Sequence, residues 1–216
     1  MARRCLPYEY KFGEITDDTR GVLKLATEDT VDSDASFQVY EDPAPSTHFT
    51  DVPAASWYHD AVYWAVDQQI TAGTSATTFT PDRTCTETEI LTFLWRAAGQ
   101  PASTAQLPFT PKAAWAADAL RWAYEKGMIG ASFNENAPCT RASAVKFIWQ
   151  ASGSHSTAVA NSFTDVPAGA HYAQAVAWAV SKGITAGTSA TTFSPNKTCS
   201  RAEIVTFLYR DRTDKT

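Results

Sequence analysis

The sequence predicts a mainly α protein, built from three helix-loop-helix repeats behind a short extended N-terminal arm. Three observations carry this. Residues 49–96 recur almost verbatim as residues 163–210, and a degenerate third copy fills 109–150. Each copy holds two stretches with apolar residues at helical spacing. The linkers between copies are short and rich in Ser, Ala and small polar residues, which suits units of one body better than separate domains. The expected divisions are an arm at 1–48 and repeats at 49–101, 109–153 and 163–212.

Bulk properties narrow the field first. The chain has 216 residues, 44% of them hydrophobic, so a core can form; its net charge of -5 comes without a basic tract. Nucleic acid is therefore a poor partner, because affinity for it depends on clustered Lys and Arg. No apolar run approaches the roughly 18 residues needed to span a bilayer, so membrane insertion is not expected. The N-terminus starts basic but lacks an apolar stretch behind it, unlike an ordinary secretory signal. Either an export signal stands outside this chain, or the protein leaves its cell by another route.

Within the arm, Val22, Leu23 and Leu25 suit a short strand or one helical turn, with Gly21 as a turn residue. The arm is too short and polar for a core of its own, so docking, extension or a partner is expected.

Each repeat opens on a loop, FTDVP in the first. Its first helix is expected from about Ser56 to Gln68, with Tyr58, Ala61, Val62, Ala65 and Val66 on one face. The third copy matches it with Tyr172, Ala175, Val176, Ala179 and Val180. Gly127 and Gly183 stand where a left-handed cap ends this helix, and repeat 1 places Gln69 there at a backbone cost. A polar loop follows, ITAGTSATTF, identical at 70–79 and 184–193. The second helix opens on a capping box, Thr86 with Glu89 and Ser200 with Glu203. Its core face is Ile90, Phe93, Leu94 and Ala97, matched by Ile204, Phe207 and Leu208, and Gly99 and Gly153 end it in the first two copies.

Cys85, Cys139 and Cys199 stand one place before each cap, at the staple position opposite an apolar residue such as Ile90. The reading favoured is packing, with three thiols converging on a metal as the sharper alternative. No cofactor is expected. The middle copy departs from its neighbours: its polar loop is four residues shorter, its opening lacks Asp-Val-Pro, and its cap lacks the boxing Glu. It keeps the helices and so the packing role.

Three ordered repeats, the first and third with F-x-D-V-P openings, and Ser200-Arg201-Ala202-Glu203 opening the last helix, resemble the S-layer homology family. The resemblance covers residues 49–210, and Thr140-Arg141-Ala142 carries most of the same motif. It implies a pseudo-threefold helical bundle and a non-catalytic module that binds cell-wall polysaccharide, a secondary polymer or peptidoglycan, in grooves between repeats. Separately, Thr16–Thr27 resembles a short repeat of bacteriophage tail-fibre proteins. That leaves two carriers open, a cell-surface protein or a virion protein using the module for host attachment. In the second, residues 1–48 anchor the chain and promote oligomers, a homotrimer for preference, or assembly with virion or surface-layer proteins. A purely structural scaffold is a third reading.

Site residues follow from ligand chemistry. An acidic glycan wants a fixed cation, and Arg201 and Arg141 sit in the first helical turn, where the guanidinium fork and free N–H groups favour an anion. Repeat 1 has Glu87 there, a charge reversal, so no site is expected on it. Arg201 has a plainer reading as an exposed ion pair with Glu203. Gly73, Thr74 and Ser75, with Gly187, Thr188 and Ser189, are expected to approach a ligand through backbone and hydroxyls, or else to be turn residues. Trp57 and Trp115 are candidates for sugar stacking, with His171 at the matching place; Trp64, Trp122 and Trp178 are read as packing between repeats. Asp51 and Asp165 are read as loop-structuring, and no nucleophile–base pair or paired carboxylates singles out an enzyme.

Overall fold

The computed structural model describes residues 49–155, 157 and 161–213. The arm, with everything expected of it, lies outside the described residues. Six α-helices stand among those described: α1 (His59–Asp67), α2 (Glu87–Ala97), α3 (Ala117–Glu125), α4 (Arg141–Ala151), α5 (Ala173–Ser181) and α6 (Arg201–Thr213). A 3-10 turn, Ala114–Ala116, leads into α3.

The first helix is shorter than expected. The Ser56 hydroxyl donates to the Pro53 carbonyl at 2.7 Å, a turn, and the regular helix begins only at His59. Its inward face is as read: Ala61, Val62 and Ala65 are buried, as are Ala175, Val176 and Ala179 in α5. On the second helices Ile90, Phe93 and Leu94, and Ile204, Phe207 and Leu208, are buried. Both capping boxes form. Glu89 N–H donates to the Thr86 hydroxyl at 3.2 Å while Thr86 N–H donates to the Glu89 carboxylate at 2.9 Å. Ser200 and Glu203 repeat the exchange, and Thr140 caps Ser143 N–H alone.

Helices pack between repeats rather than within them. The first helix of each repeat lies on the second helix of another: α1 on α6, α3 on α2, α5 on α4. The second helices also meet, α2 with α4 and α4 with α6. Trp122 and Trp178 are buried in these seams, and Trp64 meets Tyr209 of α6 edge-on at 5.4 Å. Such a ring closes only when all three repeats are present.

The centre of the ring is a closed cycle of backbone hydrogen bonds. Cys85 N–H donates to the Cys199 carbonyl (3.0 Å), Cys139 N–H to Cys85 (2.8 Å) and Cys199 N–H to Cys139 (2.8 Å). Three isolated antiparallel bridges, Thr84 with Ser200, Thr86 with Pro138 and Thr140 with Thr198, surround it. This is the pseudo-threefold axis. The three thiols are buried, and burial pushes each up, Cys199 to about 12, so they stay neutral and pack as small apolar groups. No group of His, Cys, Asp and Glu among the described residues is placed to hold a metal. No described helix is long and apolar enough to cross a membrane.

The helix ends follow the sequence closely. Gly127 and Gly183 take φ of 66° and 69°, and Gln69 is held at 56° in the same place. A side chain in that left-handed region costs about 1 kcal/mol that glycine does not. Gln69→Gly should therefore raise the unfolding free energy by about 0.5–1 kcal/mol, read from urea denaturation. A loss of stability would show that Gln69 contributes a contact outweighing its strain.

Candidate functional site

The polar loops are structured by their own residues. Asp51 reaches across from the opening loop, and its two carboxylate oxygens accept Phe79 N–H (2.8 Å) and Thr80 N–H (2.7 Å). Asp165 does the same for Phe193 and Ser194, and those backbone hydrogen bonds hold its carboxyl below the usual carboxylate value. Both act as loop-structuring residues. The middle repeat makes this cross-link in reverse. Glu135, in the short loop, sends its carboxylate back to Lys112 N–H (3.0 Å) and Ala113 N–H (3.4 Å). The sequence reading missed Glu135; the signal was an acid in the loop of the copy whose opening had lost its Asp.

The loop residues proposed as ligand contacts are engaged internally. Ser75 Oγ accepts Thr77 N–H and Thr78 N–H, and Thr74 N–H donates to the Thr78 carbonyl at 2.8 Å. Ser189 and Thr188 repeat this in the third copy. A Cβ on Gly73 or Gly187 would collide with the loop's own carbonyls and with the ring of Phe49 or Phe163. The glycine thus serves the loop's own closure, and turn chemistry accounts for all six residues.

Arg201 and Arg141 are the largest departure from expectation. Both are buried, 4% and 5% exposed, and each grips the loop of another repeat. Arg201 Nε donates to the Phe79 carbonyl (3.1 Å) and its Nη2 to the Ala72 carbonyl (3.1 Å). Its guanidinium lies 4.6 Å from the Phe79 ring centre and 5.7 Å from that of Phe93. Arg141 does the same to repeat 3, through the carbonyls of Phe193 (2.9 Å) and Ala186 (2.6 Å) and the rings of Phe193 and Phe207. The exposed pair with Glu203 does not form: Arg201 lies 3.6 Å from Glu89, and Lys197 approaches Glu203.

The helix N-termini are likewise occupied. Arg201 N–H and Ala202 N–H donate to the carbonyls of Arg83 (2.9 Å) and Pro81 (3.0 Å), and Arg141 N–H and Ala142 N–H to those of Lys197 (2.8 Å) and Pro195 (3.0 Å). The donors expected to draw an anion are bonded to neighbouring backbone. Among the described contacts, then, the arginines position loops.

The junction of repeats 1 and 2 is built differently. Glu87 replaces the arginine and the facing loop is the short one, so neither the guanidinium nor the ten-residue loop is there. Backbone register survives: Glu87 N–H donates to Ala137 (2.9 Å), and the Thr88 hydroxyl donates to the Glu135 carbonyl (2.8 Å). A cleft of about 550 Å³ opens here, lined by Arg83, Thr86, Thr88 and Glu89 from repeat 1 and by Lys112–Trp115, Glu135 and Asn136 from repeat 2. Trp115 is 58% exposed at its edge, and Trp57, at the matching place in repeat 1, is 64% exposed. Arg83 is paired with Glu89. Burial pushes the Glu89 carboxyl up, but the hydrogen bonds from Arg83 and Thr86 outweigh it and leave it below its usual value.

Comparison with known proteins bears on this geometry. Residues 48–89 and 162–205 match the S-layer homology domain. The two matches fall on the first and third repeats. The middle repeat, whose loop and opening are altered, lies outside both matches. The chain is also 33% identical, over 105 residues, to a protein named endoglucanase from Bacillus sp. (strain KSM-635). That stretch is 48% of this chain and 11% of the relative, so the chain spans about a tenth of the relative's length. S-layer homology domains occur in cell-surface proteins and associate with the cell wall.

The clamp is testable through stability. Arg201→Ala leaves the buried Phe79 carbonyl and the part-buried Ala72 carbonyl without this donor and should cost about 2–4 kcal/mol in urea denaturation. Arg201→Lys should recover little of it, because one ammonium cannot reproduce the planar fork. A cost below about 0.5 kcal/mol for the alanine variant would mean that the loop holds without its clamp.

Proposed function

We propose that residues 49–213 form a non-catalytic module that binds a bacterial cell-wall glycan and holds its carrier at the cell surface. The ligand sits in the cleft between repeats 1 and 2. The observation that carries this is Trp115, a large aromatic left 58% exposed beside a cleft with donors and acceptors on both walls. An indole face suits the apolar face of a sugar ring, and the surrounding carboxylates, ammonium and amide suit its hydroxyls. The surface association of the domain family points to the same class of ligand.

Within this reading Arg201 and Arg141 act at one remove, by fixing the loops and the ring that carries the cleft. Thr74, Ser75, Thr188 and Ser189 remain at the surface, while Trp57 offers a second stacking face in repeat 1.

The test is sedimentation with purified Gram-positive cell walls, before and after acid removes the secondary polymer. The full chain should bind intact walls, and Trp115→Ala should weaken binding by about tenfold with the fold unchanged, the loss of roughly 1.4 kcal/mol of stacking. Loss of binding on stripping assigns the ligand to the secondary polymer; unchanged binding assigns it to peptidoglycan. No binding to either preparation would leave the repeats as an assembly scaffold and overturn the proposal.

A further inference from the structure

The seam of α1 on α6 closes the ring, and it is packed differently from the other two. Trp64 of α1 is half-buried there, whereas Trp122 and Trp178 at the matching places are 5% and 4% exposed. At those two seams the linker after the second helix folds back over the helix end. Trp95 Nε1 donates to the Pro101 carbonyl (3.0 Å), and Trp149 Nε1 to the His155 carbonyl (2.7 Å). On α6 Tyr209 stands in their place, edge-on to Trp64, and a slot of about 330 Å³ opens beside Trp64. Its walls include Gln68, Ile70, Arg96, Ala97 and Arg212, none of which lines the cleft at Trp115.

The slot's charge is one-sided: Arg96 and Arg212 line it, and no carboxylate does. Arg96 is partly committed to the frame. Its Nη1 donates to the Ile70 carbonyl (3.2 Å), as Arg210 Nη1 does to the Ile184 carbonyl (3.3 Å). Arg212 is paired, among the described residues, with Asp211 of its own helix at 3.4 Å, and its buried Nε makes no hydrogen bond. The repeat register shows what is missing. Between repeats 2 and 3 the Ser152 hydroxyl donates to the Asp211 carboxylate (3.2 Å). One repeat on, the matching positions are Arg212 and Ala97, so the donor has become a guanidinium and the acid a methyl group.

We infer that this slot docks an acidic segment of a partner protein, whose Asp or Glu carboxylate gives Arg212 the acceptor that Ala97 does not. A carboxylate meets a guanidinium through two parallel N–H···O bonds, and Arg96 adds a second cation beside it. A peptide fits because the other two seams already hold one: linker chain rich in Ser, Ala and small polar residues lies on the corresponding helix ends. Trp64 and Ala97 offer apolar surface to the small side chains flanking the acid.

The test titrates the full chain calorimetrically with an acetylated, amidated peptide, Ala-Pro-Asp-Glu-Ala-Ser, and with the same peptide carrying Asn and Gln for its acids. The acidic peptide should bind with a Kd below about 1 mM, at least about tenfold more tightly than the neutral one, and weaken as salt rises from about 20 to 300 mM. Arg212→Ala should weaken it about tenfold. Ala97→Asp should do the same with the helical circular dichroism unchanged, because it builds in the carboxylate that the peptide brings; Asp211 shows that the position accepts an acid. Equal binding of the two peptides, binding that survives Ala97→Asp, or no binding at about 1 mM would overturn the inference. Tighter binding of trigalacturonate than of the acidic peptide, lost in Arg212→Ala, would assign the slot to a sugar acid and overturn the peptide occupant.

Discussion

Everything in this fold depends on backbone donors of one repeat finding acceptors in another. A helix leaves its first N–H groups without internal partners, and capping boxes satisfy only some of them. Here most of the others go sideways. The N–H groups of Arg141, Ala142, Arg201 and Ala202 meet carbonyls of the next repeat, and the three cysteines close the cycle at the axis. Buried polar groups are costly to leave unpaired, so removing one repeat strips donors and acceptors from both neighbours at once. The packing of α1 on α6, α3 on α2 and α5 on α4 has the same consequence on the apolar side. Stability therefore belongs to the closed set of three.

Against that cyclic order, the cleft arises from a break in symmetry. At two junctions a buried arginine between phenylalanine rings fastens a ten-residue loop. At the third, the loop is short, the arginine is Glu87, and the cross-linking carboxylate comes from Glu135 instead of an opening-loop Asp. The backbone bonds that hold the ring are kept, while the side-chain filling is not. A space bounded by Trp115 on one side and the capping box of α2 on the other remains. The copy that diverged in sequence is thus the one that contributes most to the open cleft.

Much of this was legible in the residues. Helix faces, both capping boxes, the left-handed ends at Gly127 and Gly183 and the strained Gln69 follow from local rules that tertiary contacts here reinforce. The structural roles of Asp51 and Asp165 were legible too. What misled was the meaning of Arg201 and Arg141. A first-turn arginine looks the same in sequence whether it faces solvent or reaches carbonyls more than a hundred residues away, as Arg201 does with Phe79. The glycine and hydroxyl residues of the loop were ambiguous for a related reason, since tight turns and ligand contacts call for the same residue types. The cleft itself depends on a deletion in one copy meeting a charge change in another, which only the ring arrangement brings together.

The central claim is that ligand enters at the junction lacking an arginine clamp. Mapping amide and indole NMR shifts on adding solubilised wall fragments addresses it most directly. The account predicts the largest changes at the Trp115 indole, Lys112 and Asn136, with the clamped loops at 70–79 and 184–193 little altered. Changes concentrated in those two loops, with Trp115 unmoved, would contradict it.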